Sequence, residues 1–478
     1  MGLDEARDIE ARFERYVDGL ASVIGHADRV GPLRDYCRGL LMPGERKSVE
    51  PMAAITAPHR TAAQHQSLLH FVGQGGWSDA AVLAKVRELV LPAIERRGAI
   101  EALIVDDSGF PKKGRHSVGV SHQYCGRLGK PANCQVAVTL SLANHDASLP
   151  VAHALYLPKS WAADDSRRRK AGVPEEIGFK TKPQIALDLI RRAVESGLPG
   201  NMVLVDAGYG HDATLRSAIT ALPRTYVAGI QPQTLVWAQG RRRGLPPKKG
   251  RRDAAAAISV KDLARRLPAK AWRTIKWREG TNAWLSSRFA RLRVHVASSH
   301  QDCAKPDKEW LLIEWPEGED EPTKYWLSTV PKNIPFRDLV DAAKLRWRIE
   351  RDYQELKQEV GLGHFEGRGW AWLPPSRHAV HRGLRIPDLR KGDDSPLRTS
   401  SRRAVRATCR SPTSSTPRRR RCDPNATSPI RSRPCGAASP TLSSSACHDA
   451  RAATHPSARL RSGAICDTVV LVFLLQKS

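Results

Sequence analysis

None of the nine cysteines forms a Cys-x-x-Cys pair, and no spacing among them fits a zinc site. Cys37, Cys125, Cys134 and Cys303 are scattered as reduced thiols are, which points to the cytoplasm; the other five lie beyond residue 371. No signal peptide is visible, because the first segment is charged and amphipathic. The apolar run Val469-Val470-Leu471-Val472-Phe473-Leu474-Leu475 is too short to cross a bilayer as a helix, so no membrane role is expected. Internal repeats are absent. Glutamate stops at Glu366, and only two lysines follow residue 371.

Positive charge is abundant. Across 478 residues, 77 Lys+Arg oppose 49 Asp+Glu, for a net charge of +28. Residues 371–478 hold 20 Lys+Arg against 6 Asp, and the rest holds 57 against 43, so each part carries +14. The tail does so in far fewer residues. A basic excess of this kind points to a polyanion, with nucleic acid first. In the tail, a solvated surface is the competing explanation. The length suggests roughly two to four domains with ample core.

Residues 1–95 read as helical. Apolar residues recur at helical spacing over 4–24, 60–72 and 78–94, and Pro43-Gly44 and Gly73-Gln74-Gly75-Gly76 break the segments. Basic residues here (Arg46, Lys47, Arg60) suit DNA, and a helical cap on the next domain suits the pattern equally. Residues 101–106, 117–122 and 133–143 read as strands. Turn-rich basic segments separate them, with Lys112 and Lys113 in one and Lys130 in the other. An amphipathic helix over 183–197 precedes a strand that ends at Asp206. Three strands, a helix, a strand and a distant helix is the order of an RNase H-like α/β sheet. The expected layout is a helical DNA-binding region over 1–95, a core over 96–224 and 331–370, an all-β insertion over 225–330, and a disordered tail over 371–478. The insertion holds seven of the twelve Trp and a basic loop from Arg241 to Arg252.

Three carboxylates stand out. Asp106 follows the apolar run Leu103-Ile104-Val105, and Asp206 follows Met202-Val203-Leu204-Val205. Glu350 lies in the basic helix segment Arg346-Trp347-Arg348-Ile349-Glu350. Carboxylates at the ends of buried strands sit at the rim of a sheet. Three such oxygen donors suit a pair of Mg2+ ions, with Mn2+ able to substitute, and that pair serves phosphodiester cleavage. On a helix advancing about 100° per residue, Arg346, Glu350 and Lys357 fall within roughly 40° of one another. One face then carries a metal ligand flanked by two cations for DNA phosphates. An ordinary charged helix face is the plainer alternative.

An ordered set of segments carries a family resemblance from about residue 40 to 370. It comprises Gly44-Glu45-Arg46-Lys47-Ser48-Val49-Glu50-Pro51, Asp106-Asp107-Ser108-Gly109-Phe110-Pro111-Lys112-Lys113-Gly114 and Ser117-Val118-Gly119-Val120. It continues with Gln123-Tyr124-Cys125-Gly126, Asn133-Cys134-Gln135, Val205-Asp206-Ala207-Gly208-Tyr209-Gly210 and Leu345-Arg346-Trp347-Arg348-Ile349-Glu350. Together these resemble the DDE transposases of bacterial insertion sequences, in the branch with a β-strand insertion between the second Asp and the Glu. The resemblance implies that Asp106, Asp206 and Glu350 are the catalytic and metal-binding triad. The family's first Asp stands two residues before a Thr or Ser, which selects Asp106, with Asp107 as the alternative. The family's Tyr-Arg-Glu-Lys signature maps to Arg346, Glu350 and Lys357, while Ala343 occupies the Tyr position. Trp326 resembles the insertion position that stacks a flipped base; a buried core Trp is the other option. Implied partners are double-stranded DNA, as terminal inverted repeats and target, and a second copy in a homodimer. The implied setting is the bacterial cytoplasm, at the nucleoid.

The tail departs from this family. Codons for residues 373–391 can be chosen that, shifted by one base, read Phe-His-His-His-Ala-Thr-Leu-Cys-Ile-Ala-Ala-Tyr-Gly-Phe-Leu-Ile-Ser-Glu. That resembles the family's next helix, so a frameshift near residue 371 is expected to have inactivated this copy. Its loss would leave an apolar face uncovered on the 345–360 helix. An Arg/Ser-rich disordered segment that binds nucleic acid is the alternative. Two rival functions remain: a non-catalytic DNA-binding relic, and a phosphohydrolase with an Asp-x-Asp nucleophile. The second is disfavoured because Ser108 stands where its second Asp belongs.

Overall fold

The structure, a computed structural model, describes residues 3–237, 257–279, 284–297, 308–364 and 367–370. The Arg241 to Arg252 loop, Cys303 and the 371–478 tail lie outside the described residues.

Five helices open the chain: α1 (Leu3–Ala21), α2 (Val30–Leu41), α3 (Val49–Thr56), α4 (Thr61–Gly73) and α5 (Asp79–Glu95). Val82, Val86 and Val90 recur every four residues on α5 and are buried, so one stripe faces the core. Ser78 caps that helix by accepting from the Ala81 N–H at 3.3 Å.

The central sheet begins with β1 (Ala102–Pro111), β2 (Ser121–Cys125), β3 (Lys130–Ala143), β4 (Ser148–Leu155), β5 (Met202–Val205) and β6 (Thr225–Ile230). Strand β1 pairs antiparallel with β3 and parallel with β5, and β5 pairs parallel with β6. Both β2 and β4 lie along the other edge of β3. Order β4-β3-β1-β5-β6 is that of an RNase H-like core. Its centre is apolar on both faces: Ala102, Leu103, Ile104 and Val105 are all fully buried. The crossover to β5 uses α6 (Lys159–Ala162), α7 (Asp165–Ala171) and α8 (Lys182–Glu195). Thr181 and Gln184 form a capping box that starts α8.

Two strand expectations change. Residues 117–120 are a turn, and β2 starts only at Ser121. Gly119 turns the chain with φ +71, while Val118 and Val120 bury against Trp161. Strand β4 was not expected, because Pro150 breaks its pattern. Pro150 is tolerated there because β4 is an edge strand and the β3–β4 register shifts between Leu140 and Ser141, opposite it.

After β5 come α9 (Ala207–Gly210) and α10 (Ala213–Ala221), then β6. The following strands are β7 (Leu235–Trp237), β8 (Ile258–Ser259), β9 (Arg273–Glu279), β10 (Trp284–Val296), β11 (Glu309–Pro316) and β12 (Lys324–Ser328). They do not form a separate sheet. Strand β12 pairs with β6, and the order β6-β12-β11-β10-β7-β8 extends the core sheet, with β9 on β10. Among the described residues, a short helix, α11 (Val260–Arg265), and a 3-10 turn at Ala269–Ala271 interrupt these strands. Two helices end the described chain, α12 (Phe336–Lys344) and α13 (Trp347–Glu359). Ile349, Tyr353 and Leu356 of α13 are buried, so its apolar face is not left open as the missing-helix argument expected. Among the described residues, no helix is long and apolar enough to cross a membrane.

Candidate active site

The parallel pairing of β1 with β5 runs Ala102–Met202, Leu103–Val203 and Ile104–Leu204. Carried two residues further, that register brings Asp106 and Asp206 side by side. Strand β5 stops at Val205, so Asp206 lies at its end. Asp106 lies within β1, which continues to Pro111 by pairing with β3. Each carboxylate is oriented by backbone. Asp106 accepts from the Asp107 N–H at 2.9 Å. Asp206 caps α9, accepting from the N–H groups of Gly208 at 2.9 Å and Tyr209 at 3.2 Å.

Glu350 joins them through Arg346. The Arg346 guanidinium stands 3.1 Å from Asp106 Oδ1 and donates to Glu350 Oε1 at 2.8 Å. Burial pulls the guanidinium toward neutrality, but Asp106, Asp206 and Glu350 together overcome it and hold Arg346 charged. The Asp106 carboxyl is pushed up, first by burial and then by Asp206 and Glu350, against the pull of Arg346. All three expected carboxylates therefore surround one cation. Arg346 itself, expected on DNA phosphate, bridges two of them.

Adjacent strand residues face opposite sides, and the first two aspartates divide accordingly. Asp107 takes the Lys182 ammonium at 2.6 Å and the Tyr209 hydroxyl. Lys182 and Tyr209 were not singled out from sequence. Tyr209 stands in the Val205–Gly210 segment, but nothing in its pattern reveals a cross-strand partner.

The other expected residues spread along the site. Lys357 is half-buried on α13, and burial lowers its pKa against the opposing pull of Asp106. Lys112 is half-buried with its pKa lowered to about 8 by burial. Lys113 and Lys130 are exposed. Asn133 holds the Lys112 loop by donating from Nδ2 to the carbonyls of Lys112 and Gly114, each at 2.7 Å. Trp326 is half-buried on β12, opposite Gly229 and Leu312. Its ring lies 5.6 Å from the Lys344 ammonium.

Lys344 went unnoticed in the sequence. It is buried at the end of α12 and binds both Glu314 oxygens at 2.5 Å. Ser287 Oγ donates to Glu314 at 2.9 Å, and Trp277 covers the ammonium at 4.3 Å. Lys344 is two residues from Arg346, so this pair anchors the insertion strands to the start of the Glu350 helix.

The carboxylate donors suit hard divalent cations in chemistry. Raised by burial and by its neighbours, Asp106 gains from any cation beside it. Among the described residues, no three His, Cys, Asp or Glu already stand together as a metal cluster.

A parallel-centred RNase H-like sheet with acidic residues side by side on adjacent strands, Asp106 within β1 and Asp206 at the end of β5, defines a nuclease-type scaffold. A family model of DDE superfamily endonucleases matches residues 19–283. The match takes in Asp106 and Asp206 and ends before Glu350. The probable transposase for insertion sequence element IS701 from Microchaete diplosiphon is 30% identical over 330 residues, covering 68% of this chain and 74% of that protein. The chain belongs to the DDE superfamily endonucleases, among the transposases of insertion sequences.

Proposed function

We propose that Asp106, Asp206 and Glu350 form the centre of a divalent-metal-dependent reaction that cuts DNA at element ends and joins the freed 3′-hydroxyl to target DNA. The convergence of the three carboxylates on Arg346 carries this proposal. Such a carboxylate set would hold two Mg2+ ions, or Mn2+, which supply charge stabilisation to the attacking and leaving oxygens when bound. Asp106 and Asp206 are pre-oriented by the backbone, so little reorganisation is needed. Arg346 neutralises the acidic cluster and, with Lys357, offers positive charge to the phosphate being cut. Lys112, Lys113 and Lys130 extend that charge along the DNA, and Trp326 offers a face for a base. No covalent protein–DNA intermediate is required, so no Ser or Tyr nucleophile is invoked.

The substrates are terminal inverted repeats and target DNA, and a homodimer brings two ends together at the nucleoid. The helical region 1–95 contributes to DNA binding. Residues after about 371 derive from a frameshift, and the chain as it stands is inactive. A non-catalytic relic that occupies element ends is the second reading, and the basic tail, with 20 Lys+Arg against 6 Asp, favours retained DNA binding. Cleavage of element-end DNA by this chain and by a restored-frame form decides between these. Mg2+-dependent cutting by the restored form alone is expected. Equal activity would reject the tail's effect, and absence of cutting in both would favour the relic. An uninterrupted frame encoding this tail in other copies of the locus would reject the frameshift.

A further inference from the structure

A second group of basic side chains adjoins the carboxylates. Past the end of α13, Leu362 N–H donates to the Leu356 carbonyl at 3.0 Å, folding the chain back on the helix. Gly361 makes this turn with φ +69, and a Cβ there would stand 2.5 Å from the Lys47 Cβ. Gly363 lies against the Arg127 guanidinium, where a Cβ would collide. His364 Nδ1 accepts from the Lys47 N–H at 2.9 Å. Three distant stretches thus meet: residues 46–47, the turn between β2 and β3, and the end of the Glu350 helix.

Like charge accumulates where they meet. His364 is pushed below its ordinary pKa by burial and then by Arg127, Arg46 and Lys47. Lys357 feels both Asp106 and Arg127, so the group adjoins the carboxylates. Among the described residues, neither Arg127 nor Lys357 has an ion-pair partner; Glu359 acts on Lys47. Arg127 and Lys357 therefore present positive charge that an anion can join. The Lys47 N–H occupies the Nδ1 lone pair of His364, which keeps the ring neutral and leaves Nε2–H as a donor. A guanidinium beside a neutral N–H donor suits a singly charged phosphodiester oxygen.

We propose that Arg127 and His364 form a phosphodiester subsite that holds the backbone of the DNA strand as it leaves Asp106 and Lys357. The proposal rests on DNA being the substrate of the Asp106 site. It makes the N-terminal region a wall of the DNA path, with the two glycines giving Lys47 and Arg127 their room.

Labelled duplex of arbitrary sequence, titrated into the full chain over a range of salt, tests it. Each phosphate contact contributes about 0.9 to the slope of log affinity against log salt. Arg127→Ala should lower that slope by about 1, and Arg127→Lys should restore most of it. His364→Ala should weaken binding several-fold with little change of slope, because the neutral ring releases no counterion. Arg97→Ala, an exposed arginine at the end of α5, should leave the slope unchanged. An unchanged slope in Arg127→Ala, or an equal fall in Arg97→Ala, overturns the subsite. So does protection by inorganic phosphate at concentrations that leave DNA binding intact, which would indicate a free-anion site. The same titration in an Asp106→Asn background separates the two proposals. Normal cutting by restored-frame Asp106→Asn would sink the catalytic assignment while leaving the slope result standing.

Discussion

Lys344 and Arg346 are two residues apart and meet carboxylates in opposite settings. Lys344 is sealed with Glu314 among Trp277, Phe289 and Trp326 on the insertion side of the sheet. Arg346 lies between Asp106 and Glu350, where the three side chains keep 23%, 21% and 52% of their exposure. A sealed ion pair has no room for a ligand, and its value lies in fixing one arrangement. An open one can exchange partners. The short link between them thus joins a structural lock to the carboxylate cluster.

The largest effect expected on stability comes from opening the lock. Lys344→Met should cost about 3–5 kcal/mol, because Glu314 is left buried and uncompensated. Replacing both partners, as Lys344→Met with Glu314→Leu, should recover most of it in denaturant melts. Failure to recover would mean that the pair itself, beyond its burial, holds the link. Arg346→Gln should cost less than Lys344→Met, because Arg346, Asp106 and Glu350 keep 23%, 21% and 52% of their exposure. A larger loss would erase the contrast between the two sites.

In cleavage the order reverses. Asp206→Asn and Glu350→Gln in a restored-frame protein should each reduce strand cutting by more than about a hundred-fold, beyond the loss typical of residues that merely support a metal ligand. Their melting points should stay close to the parent. Cutting within about tenfold of the parent would remove that residue from the site.

Acid exposes a smaller difference within the core. Burial, with Arg192 adding to it, lowers the pKa of His153 from 6.5 to about 4. The unfolded chain then binds the proton that the folded one refuses. Stability is complete above about 6.5 and falls as pH drops toward 4, by up to about 1.4 kcal/mol per pH unit. His153→Gln should flatten that part of the profile in thermal melts, and an unaltered profile would mean other groups govern it.

Trp326 gives the smallest expected change. Trp326→Phe should shift stability by less than about 1.5 kcal/mol. Trp326→Ala should further weaken DNA binding by about 1–3 kcal/mol if a base stacks there. Equal DNA affinity in both would leave Trp326 as packing around Lys344.

Much of this was legible in the chain because burial writes long signals. The runs at 102–105 and 202–205 are apolar on both faces and most of 133–143 is buried on both, and β1, β3 and β5 follow them. The helices near 60–72, 78–94 and 183–197 fall within one or two residues of their expected ends. Strand β4 was hidden because an edge strand tolerates the Pro150 that a central strand would not. Continuity of the insertion with the core sheet was equally hidden, since a run such as Tyr226–Ile230 does not say which strand it pairs with. In the site, spacing brought Arg346, Glu350 and Lys357 onto one helix face. It could not reveal that Arg346 would turn toward Asp106. Partners such as Glu314, Lys182 and His364 come from distant segments, and only the folded register brings them together.

The most direct test of the catalytic assignment compares two neighbouring residues. Asp106→Asn and Asp107→Asn, each in the restored-frame protein at matched folded fraction, are assayed for Mg2+-dependent cutting of the same element-end DNA. Asp106 meets Arg346 and the other carboxylates, while Asp107 is held by Lys182 and Tyr209. Loss of cutting in Asp106→Asn with measurable cutting in Asp107→Asn is the predicted result. Full loss in Asp107→Asn with cutting retained in Asp106→Asn would contradict it.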